Sequence, residues 1–434
     1  MTLNTYSTPW LAPLAGGLID AVVKLPGSKS LTNRELVLSA LAANPTTLIE
    51  PLVSRDSELM IAALESLGAK FERDENQITV TPIGSANAAE TVSIDCGLAG
   101  TVMRFVPPLA GLHRGRVEFD GDVAARRRPM STTIDSLRKL GVQVEQSASD
   151  AGSLPFAVHG GGSIRGGELT IDASESSQFV SGLLLAAARF EQGLTLHHSG
   201  DHLPSLPHIE MTLDCLQKRG VEAVSVSDRS WRVQPGPISG GEVVIEPDLS
   251  NAGPFLAAAM VAGGCITISH WPSVTTQVGN EFIWILADMG ASVVVDERGL
   301  TLTSDGNIKG IDIDLSIGGE LAPVIAALAA LAYSPSRIRG IAHLRGHETD
   351  RLAALTAEIN RAGGDCRETE DGLEIYPATL HGSDWQSYED HRMATAGAII
   401  GLRVTGIKVE NIETTAKTMP NFVQLWSKML GANA

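Results

Sequence analysis

Positive charge, aromatic rings, cysteine and long apolar runs are all scarce in this 434-residue sequence. Each shortage excludes something. Lys and Arg together number 33 against 50 Asp and Glu, a formal net charge of −17, so the broad basic surface that displaces counterions from nucleic-acid phosphates is missing. A small anionic ligand stays possible. The four cysteines, Cys96, Cys215, Cys265 and Cys366, lie far apart with no CxxC or short Cys/His spacing, which fits buried thiols in a reducing compartment and gives no support for a structural zinc site. No stretch approaches about eighteen uncharged apolar residues, and MTLNTYSTPWLAPLAGG has no basic region followed by a signal-type core. A cytoplasmic protein without a membrane segment is expected. Aromatics make up 4% of the chain, so an interior drawn from its 43% hydrophobic residues must be built of Ala, Val, Leu and Ile. At roughly 100 to 200 residues per domain, several domains are expected.

What the chain has in quantity is a repeat. An apolar helix that ends in a Gly turn and runs into a β-type segment recurs as AALESLGAKFE, DSLRKLGVQVE, DCLQKRGVEAV, ILADMGASVVV and TAEINRAGGDCRE, and FVQLWSKMLG supplies a sixth helix. The turn glycines Gly68, Gly141, Gly220, Gly290, Gly363 and Gly431 are 73, 79, 70, 73 and 68 residues apart. A second helix type, rich in Ala and Gly, begins near Ser30, Thr101, Ser177, Asn251, Glu320 and His391, each time followed by a strand. The unit reads strand, helix, strand, helix, strand pair. The small-residue helices are too uniformly apolar to face water, so helices are expected inside and sheets outside. A solenoid of six is the alternative, but it needs polar caps that the two ends do not obviously supply. Six units divide into two lobes of three, with the break expected in PGPISGGEVVIEPD. The last unit lacks its closing strands, and residues 1–20 are the expected donor. The boundaries read as 21–245 for one lobe and 246–434 with 1–20 for the other.

Of the basic residues 24 are Arg and nine are Lys, and the conspicuous ones stand near helix starts: Lys29 and Arg34, Arg104, Arg126, Arg127 and Arg128, Arg345 and Arg351, Arg392, Lys417. A cation at a helix N-terminus is unfavourable unless an anion sits there too, so cations recurring at equivalent repeat positions point to a receptor for oxyanions, converging in a cleft between lobes. The Arg fork suits phosphate and carboxylate. Any one of these residues, the RRR run included, also reads as a solvated surface charge. Glu320, Glu348 and the histidines His347 and His391 are acid–base candidates in the same neighbourhoods. Glu320 reads equally as an acid stabilised by a helix dipole, and Glu348 and Asp350 as partners of nearby Arg. GxGxxG, GxxxxGK[ST] and HExxH are absent, so neither metal nor cofactor is expected.

At this point seven segments in order, LPGSKSLTNR (25–34), LAGTVMRF (98–105), GDVAARRRPM (121–130), SSQFVSGLLLAA (176–187), LRGHETDRL (344–352), EDHRM (389–393) and AKTMP (416–420), resemble the markers of the EPSP synthase (3-phosphoshikimate 1-carboxyvinyltransferase) family of enolpyruvyl transferases. The resemblance implies an inside-out α/β fold of two lobes, each of three βαβαββ units. It implies transfer of the carboxyvinyl group of phosphoenolpyruvate (PEP) to the 5-hydroxyl of shikimate 3-phosphate, in the route to chorismate and aromatic amino acids. By motif, Lys29, Gly100, Arg128, Gln178, Arg351, Arg392 and Lys417 are implied for PEP. Lys29, Ser30, Arg34, Ser176, Ser177, Gln178, Ser205, Glu320 and His347 are implied for shikimate 3-phosphate. Glu320 is expected on the hydroxyl side and Glu348 on the methylene side, with Lys29 and Lys417 assisting proton transfer or phosphate departure. The lobes are expected to close on the substrates as a monomer.

The chain departs from the commonest family pattern at Glu320, where many members have Asp, at Leu98 where they have Asn, at Leu206-Pro207-His208, and at His347 where they have Lys. His347 holds an oxyanion only when protonated, which predicts pH-sensitive affinity for shikimate 3-phosphate. Small residues beside Gly100 and Thr101 predict a PEP pocket open to the competitor glyphosate. Two other readings are the sister transferase acting on UDP-N-acetylglucosamine, which normally carries a loop Cys where this chain has RRRPM, and a non-catalytic six-repeat scaffold for phosphorylated metabolites.

Overall fold

The computed structural model of the chain describes residues 8–84, 91–146 and 151–431. The part of the expected donor segment before residue 8 lies outside them. Contacts divide the chain into two lobes, one of residues 27–245 and the other of 1–26 with 246–434.

The described strands form six sheets, five of four strands and one of three. One topology recurs. In the second repeat, Val92–Asp95 runs parallel to Arg114–Asp120, which pairs antiparallel with Phe156–Gly161, which pairs antiparallel with Gln143–Gln146. The third and fifth repeats are built alike.

The first and fourth repeats borrow their leading strand. Gly241–Val244, at the end of the first lobe, lies parallel to Thr46–Ile49 and completes the first sheet. Ile19–Val23 lies parallel to Gly264–Ser269 and completes the fourth. Residues 21–26 therefore belong to the second lobe, and the break falls at Pro26/Gly27 instead of 20/21. The reason is pairing: Ala21, Val22 and Val23 lie opposite Ile266, Thr267 and Ile268. Trp10–Leu11 pairs antiparallel with Lys408–Val409 in the sixth sheet, where a strand was missing.

All six turn glycines have left-handed backbone, φ between 76° and 110°, a conformation that costs glycine nothing and other residues much. Each donates its N–H to a carbonyl of the preceding helix, as Gly68 does to Glu65 and Gly290 to Ala287. These bonds satisfy carbonyls that the helix end leaves unpaired.

Within the first lobe the helices Lys29–Leu41, Gly100–Leu112 and Gln178–Ala187 are almost wholly buried and pack on one another. Leu249–Ala262, Ala322–Ala330 and His391–Gly401 do the same in the second. Strands lie over them, alternately buried and exposed, as in Gln77–Thr81. Small residues set the approach: a Cβ on Gly182 would stand 2.2 Å from the Arg104 carbonyl, so only glycine lets these helices touch there. The few aromatics act as anchors; Phe422 and Trp426 on the last helix pack tilted against Phe255 with ring centroids 6.0 and 5.7 Å away. No described helix is long and apolar enough to cross a membrane.

Candidate active site

In the first lobe, Lys29 opens its helix behind the N-cap Ser28, whose hydroxyl accepts from Leu31. Its ammonium lies 4.0 Å from the buried carboxylate of Asp56. Ser30 follows it into the first turn. Arg34, one turn on, is 2% exposed and donates to Ser30 O (3.0 Å), Thr212 Oγ1 (2.8 Å), Ser181 Oγ (3.3 Å) and His208 O (2.8 Å), with its plane over the Phe105 ring. Besides its expected role toward shikimate 3-phosphate, this guanidinium ties Ser30 to the turn that carries Ser205. Ser205 stands in left-handed backbone (φ 54°) ahead of the Leu206–Lys218 helix, a strained conformation for a residue with a Cβ.

A tight group forms around Gly100. A Cβ there would meet both terminal nitrogens of Arg128 at 3.0 and 3.1 Å and Gln178 Oε1 at 3.1 Å, so Gly100, Arg128 and Gln178 converge on one spot. Gln178 Oε1 is buried and without a hydrogen-bond partner among the described residues. The Gln178 N–H donates to Ser176 Oγ at 3.2 Å, and Ser177 stands immediately before the same helix without a side-chain cap bond. Arg104 is buried behind this group, its guanidinium over Phe179 and one nitrogen donating to Pro129 O. Burial, reinforced by Arg128, holds Arg104 well below its ordinary pKa. Of the arginine run only Arg128 joins the group. Arg126 forms a fork with Asp120 at 2.9 and 2.7 Å.

In the second lobe, Arg351 and Arg392 stand first and second in two helices whose N-caps are acids. Asp350 accepts from Ala353 N and Asp390 from Arg392 N. Asp390 also takes Arg351 in a buried two-pronged pair, 2.7 Å to Nε and 3.2 Å to NH2, with side chains 3% and 0% exposed. The anion expected beside these cations is thus partly supplied by the caps themselves.

Glu348 accepts from Lys417 Nζ at 2.7 Å and lies 3.2 Å from His391 Nδ1. Burial alone would raise its pKa, but Lys417, His391 and Arg351 together hold it well below the usual carboxylate range. Burial pushes His391 down, against the opposing pull of Glu348 and Asp390. Glu348, Asp390 and His391 come within metal-ligand spacing, yet Lys417 and Arg351 already match both carboxylates in charge.

Glu320 sits on a single turn, Gly319–Leu321, just before the Ala322–Ala330 helix. Its Oε1 accepts from Ser250 Oγ at 2.5 Å and lies 3.8 Å from Arg392 NH2. His347 is exposed, its ring 5.7 Å from that of His343, which packs over Gly319 next to Glu320. Arg345 turns away to Glu368 (2.6 Å) and Asp350 (3.4 Å). Sequence reasoning missed Ser250, Asp56 and His343. Ser250 alone had a signal, since it holds the same place behind its N-cap Asp248 that Ser30 holds behind Ser28.

Each lobe presents its own cations for oxyanions, and in the second lobe two carboxylates are held by different partners. The sequence pattern described as EPSP synthase (3-phosphoshikimate 1-carboxyvinyltransferase) matches residues 15–426. A 3-phosphoshikimate 1-carboxyvinyltransferase of Kocuria rhizophila is 56% identical over 432 residues, covering 98% of this chain and 97% of the relative. Two EPSP synthase structures from Acinetobacter baumannii share the fold. One superposes with a TM-score of 0.82 at 23% identity, covering 98% of both chains, and the other with 0.79 at 22%, covering 97% of both. The chain belongs to the EPSP synthase (3-phosphoshikimate 1-carboxyvinyltransferase) family.

Proposed function

We propose that this protein transfers the carboxyvinyl group of PEP to the 5-hydroxyl of shikimate 3-phosphate, releasing phosphate. Beside its family membership, the observation that carries the reading is the Glu348–Lys417 pair, 2.7 Å apart and flanked by Arg351 on the lobe that also holds Glu320 and Arg392. In this reading Lys29, Gly100, Arg128, Gln178, Arg351, Arg392 and Lys417 serve PEP. Ser30, Arg34, Ser176, Ser177, Gln178, Ser205, Glu320 and His347 serve shikimate 3-phosphate, with Lys29 shared.

In the addition, the 5-oxygen attacks C2 of PEP, Glu320 takes the hydroxyl proton, and C3 receives a proton to become a methyl group. A carboxylate held as low as Glu348 has no proton of its own to give at neutral pH. The proton reaches C3 through the Glu348–Lys417 pair. A substrate anion against Lys417 draws that counter-charge from Glu348 and raises its affinity for the proton. In the elimination the pair takes a C3 proton back, the C2–O bond to phosphate breaks, and the double bond re-forms. Lys29 and the arginines neutralise the departing phosphate. We place this reaction in the cytoplasm, in a monomer.

Glu320→Gln tests the assignment by rapid-quench single turnover. The chemical step is expected to fall by about 100-fold or more, with PEP affinity changed far less; unchanged chemistry refutes the role of Glu320.

A further inference from the structure

We infer that Ser250 is a positioning residue for the proposed base, holding the Glu320 carboxylate ionised and oriented by a hydroxyl hydrogen bond. The inference rests on the reading of Glu320 given above.

Three observations carry it. First, Ser250 Oγ donates to Glu320 Oε1 at 2.5 Å, at the short end for a hydroxyl–carboxylate bond and therefore of the strong, charge-assisted kind. Second, the two residues come from separate elements. Ser250 is in the first turn of the 14-residue Leu249–Ala262 helix, and Glu320 is on a short single turn 70 residues later. That turn sets no side-chain direction for a flexible Glu, so the serine supplies it. The carboxylate is also brought against the positive end of a helix, which favours the charged form.

Third, the surroundings fix Ser250 itself. The N-cap Asp248 accepts from Asn251 N at 3.2 Å, Gln277 Oε1 accepts from Leu249 N at 3.2 Å, and Asn251 exchanges two hydrogen bonds with Thr418, the neighbour of Lys417. The one turn that aims Ser250 at Glu320 is thus locked to the segment carrying Lys417. Two cations act on the same carboxylate: Arg392, at 3.8 Å from Oε1 and too far for a hydrogen bond, and Arg351, through its charge. The arginines supply charge and Ser250 supplies direction.

A base that must accept a proton from one particular hydroxyl depends on both direction and charge state. Removing the serine O–H leaves the acid form of Glu320 relatively more stable and its rotamer less restricted. The effect belongs on turnover and its pH dependence, not on substrate affinity.

The experiment measures pH profiles of kcat and KM for wild type, Ser250→Ala, Ser250→Thr, and Ser250→Ala combined with Glu320→Gln. Ser250→Ala is expected to lower kcat by about 10- to 100-fold and to move the acidic limb up by about one pH unit, with KM for shikimate 3-phosphate within about threefold. Ser250→Thr, which keeps the hydroxyl, restores most of kcat. In the Glu320→Gln background Ser250→Ala costs at most about twofold, because the bond it removes no longer serves a base. An unmoved acidic limb, a threonine variant no better than alanine, or equal losses in both backgrounds overturns the inference while leaving the transferase reading intact. Wild type without turnover of PEP and shikimate 3-phosphate overturns that reading instead.

Discussion

The buried Arg351–Asp390 pair should decide whether the second lobe keeps its shape around the His391–Gly401 helix. Asp390→Asn removes the negative charge but keeps an acceptor for the helix cap, leaving a guanidinium 3% exposed without its hydrogen-bonded counter-charge. Breaking one side of a buried pair costs about 3–5 kcal/mol. For a cooperative unit of this lobe's size each kcal/mol moves Tm by about 2–4 °C, so a drop of about 6–20 °C is expected. Asp390→Ala also takes the acceptor from Arg392 N and should cost about 1 kcal/mol more. The sign reverses in an Arg351→Met background. There Asp390 is itself the unpaired charge, and Asp390→Asn should be neutral or stabilising. Tryptophan fluorescence during thermal unfolding reports the right region, because Trp385 is fully buried and donates to Met393 O at 2.8 Å inside the helix in question. A Tm drop below about 2 °C for Asp390→Asn, or the same drop with and without Arg351, refutes the reasoning.

Other outcomes follow from the same geometry. Glu348 is held below its ordinary range, so its ionised form stabilises the fold above the unfolded value near pH 4.3, and that contribution disappears as pH falls through the lower folded value. Glu348→Gln should flatten the acid side of a stability profile taken by denaturant titration at several pH values; an unchanged slope contradicts the Lys417 and His391 contacts. Gly100→Ala places a methyl 3.0–3.1 Å from Arg128 and Gln178, so KM for PEP should rise several-fold with KM for shikimate 3-phosphate little changed. Steady-state kinetics with each substrate varied checks it, and equal effects on both would count against the convergence at Gly100. Burial pushes the thiols of Cys96 and Cys366 up to about 12 and about 11, and Cys265 is the only one of the four not buried. Timed alkylation with mass mapping should modify Cys265 first; early labelling of Cys96 would contradict the packing.

The repeat was legible because its markers are local. A glycine closing an apolar helix announces a left-handed turn, and all six expected positions adopt one. The strand Ile19–Val23 was harder, since its apolar run and spacing suit the first repeat equally well. Only pairing with Gly264–Ser269, far along the chain, assigns it to the fourth. At the site, the convergence of Gly100, Arg128 and Gln178 was announced by motif. The burial of Arg34 was not, because a sequence shows a charge but not the carbonyls and hydroxyls of other elements that accept from it. The same holds for Asp390, whose partner Arg351 comes from a different helix 39 residues earlier. The proton-poor state of Glu348 likewise emerged only when Lys417 and His391 were placed against it.

Phosphate release from PEP tests the central claim most directly. With shikimate 3-phosphate present, the purified protein should release one phosphate per carboxyvinyl group transferred; with PEP alone, or with UDP-N-acetylglucosamine as acceptor, release should stay at background. Release with the nucleotide sugar, or none with shikimate 3-phosphate, would contradict the account.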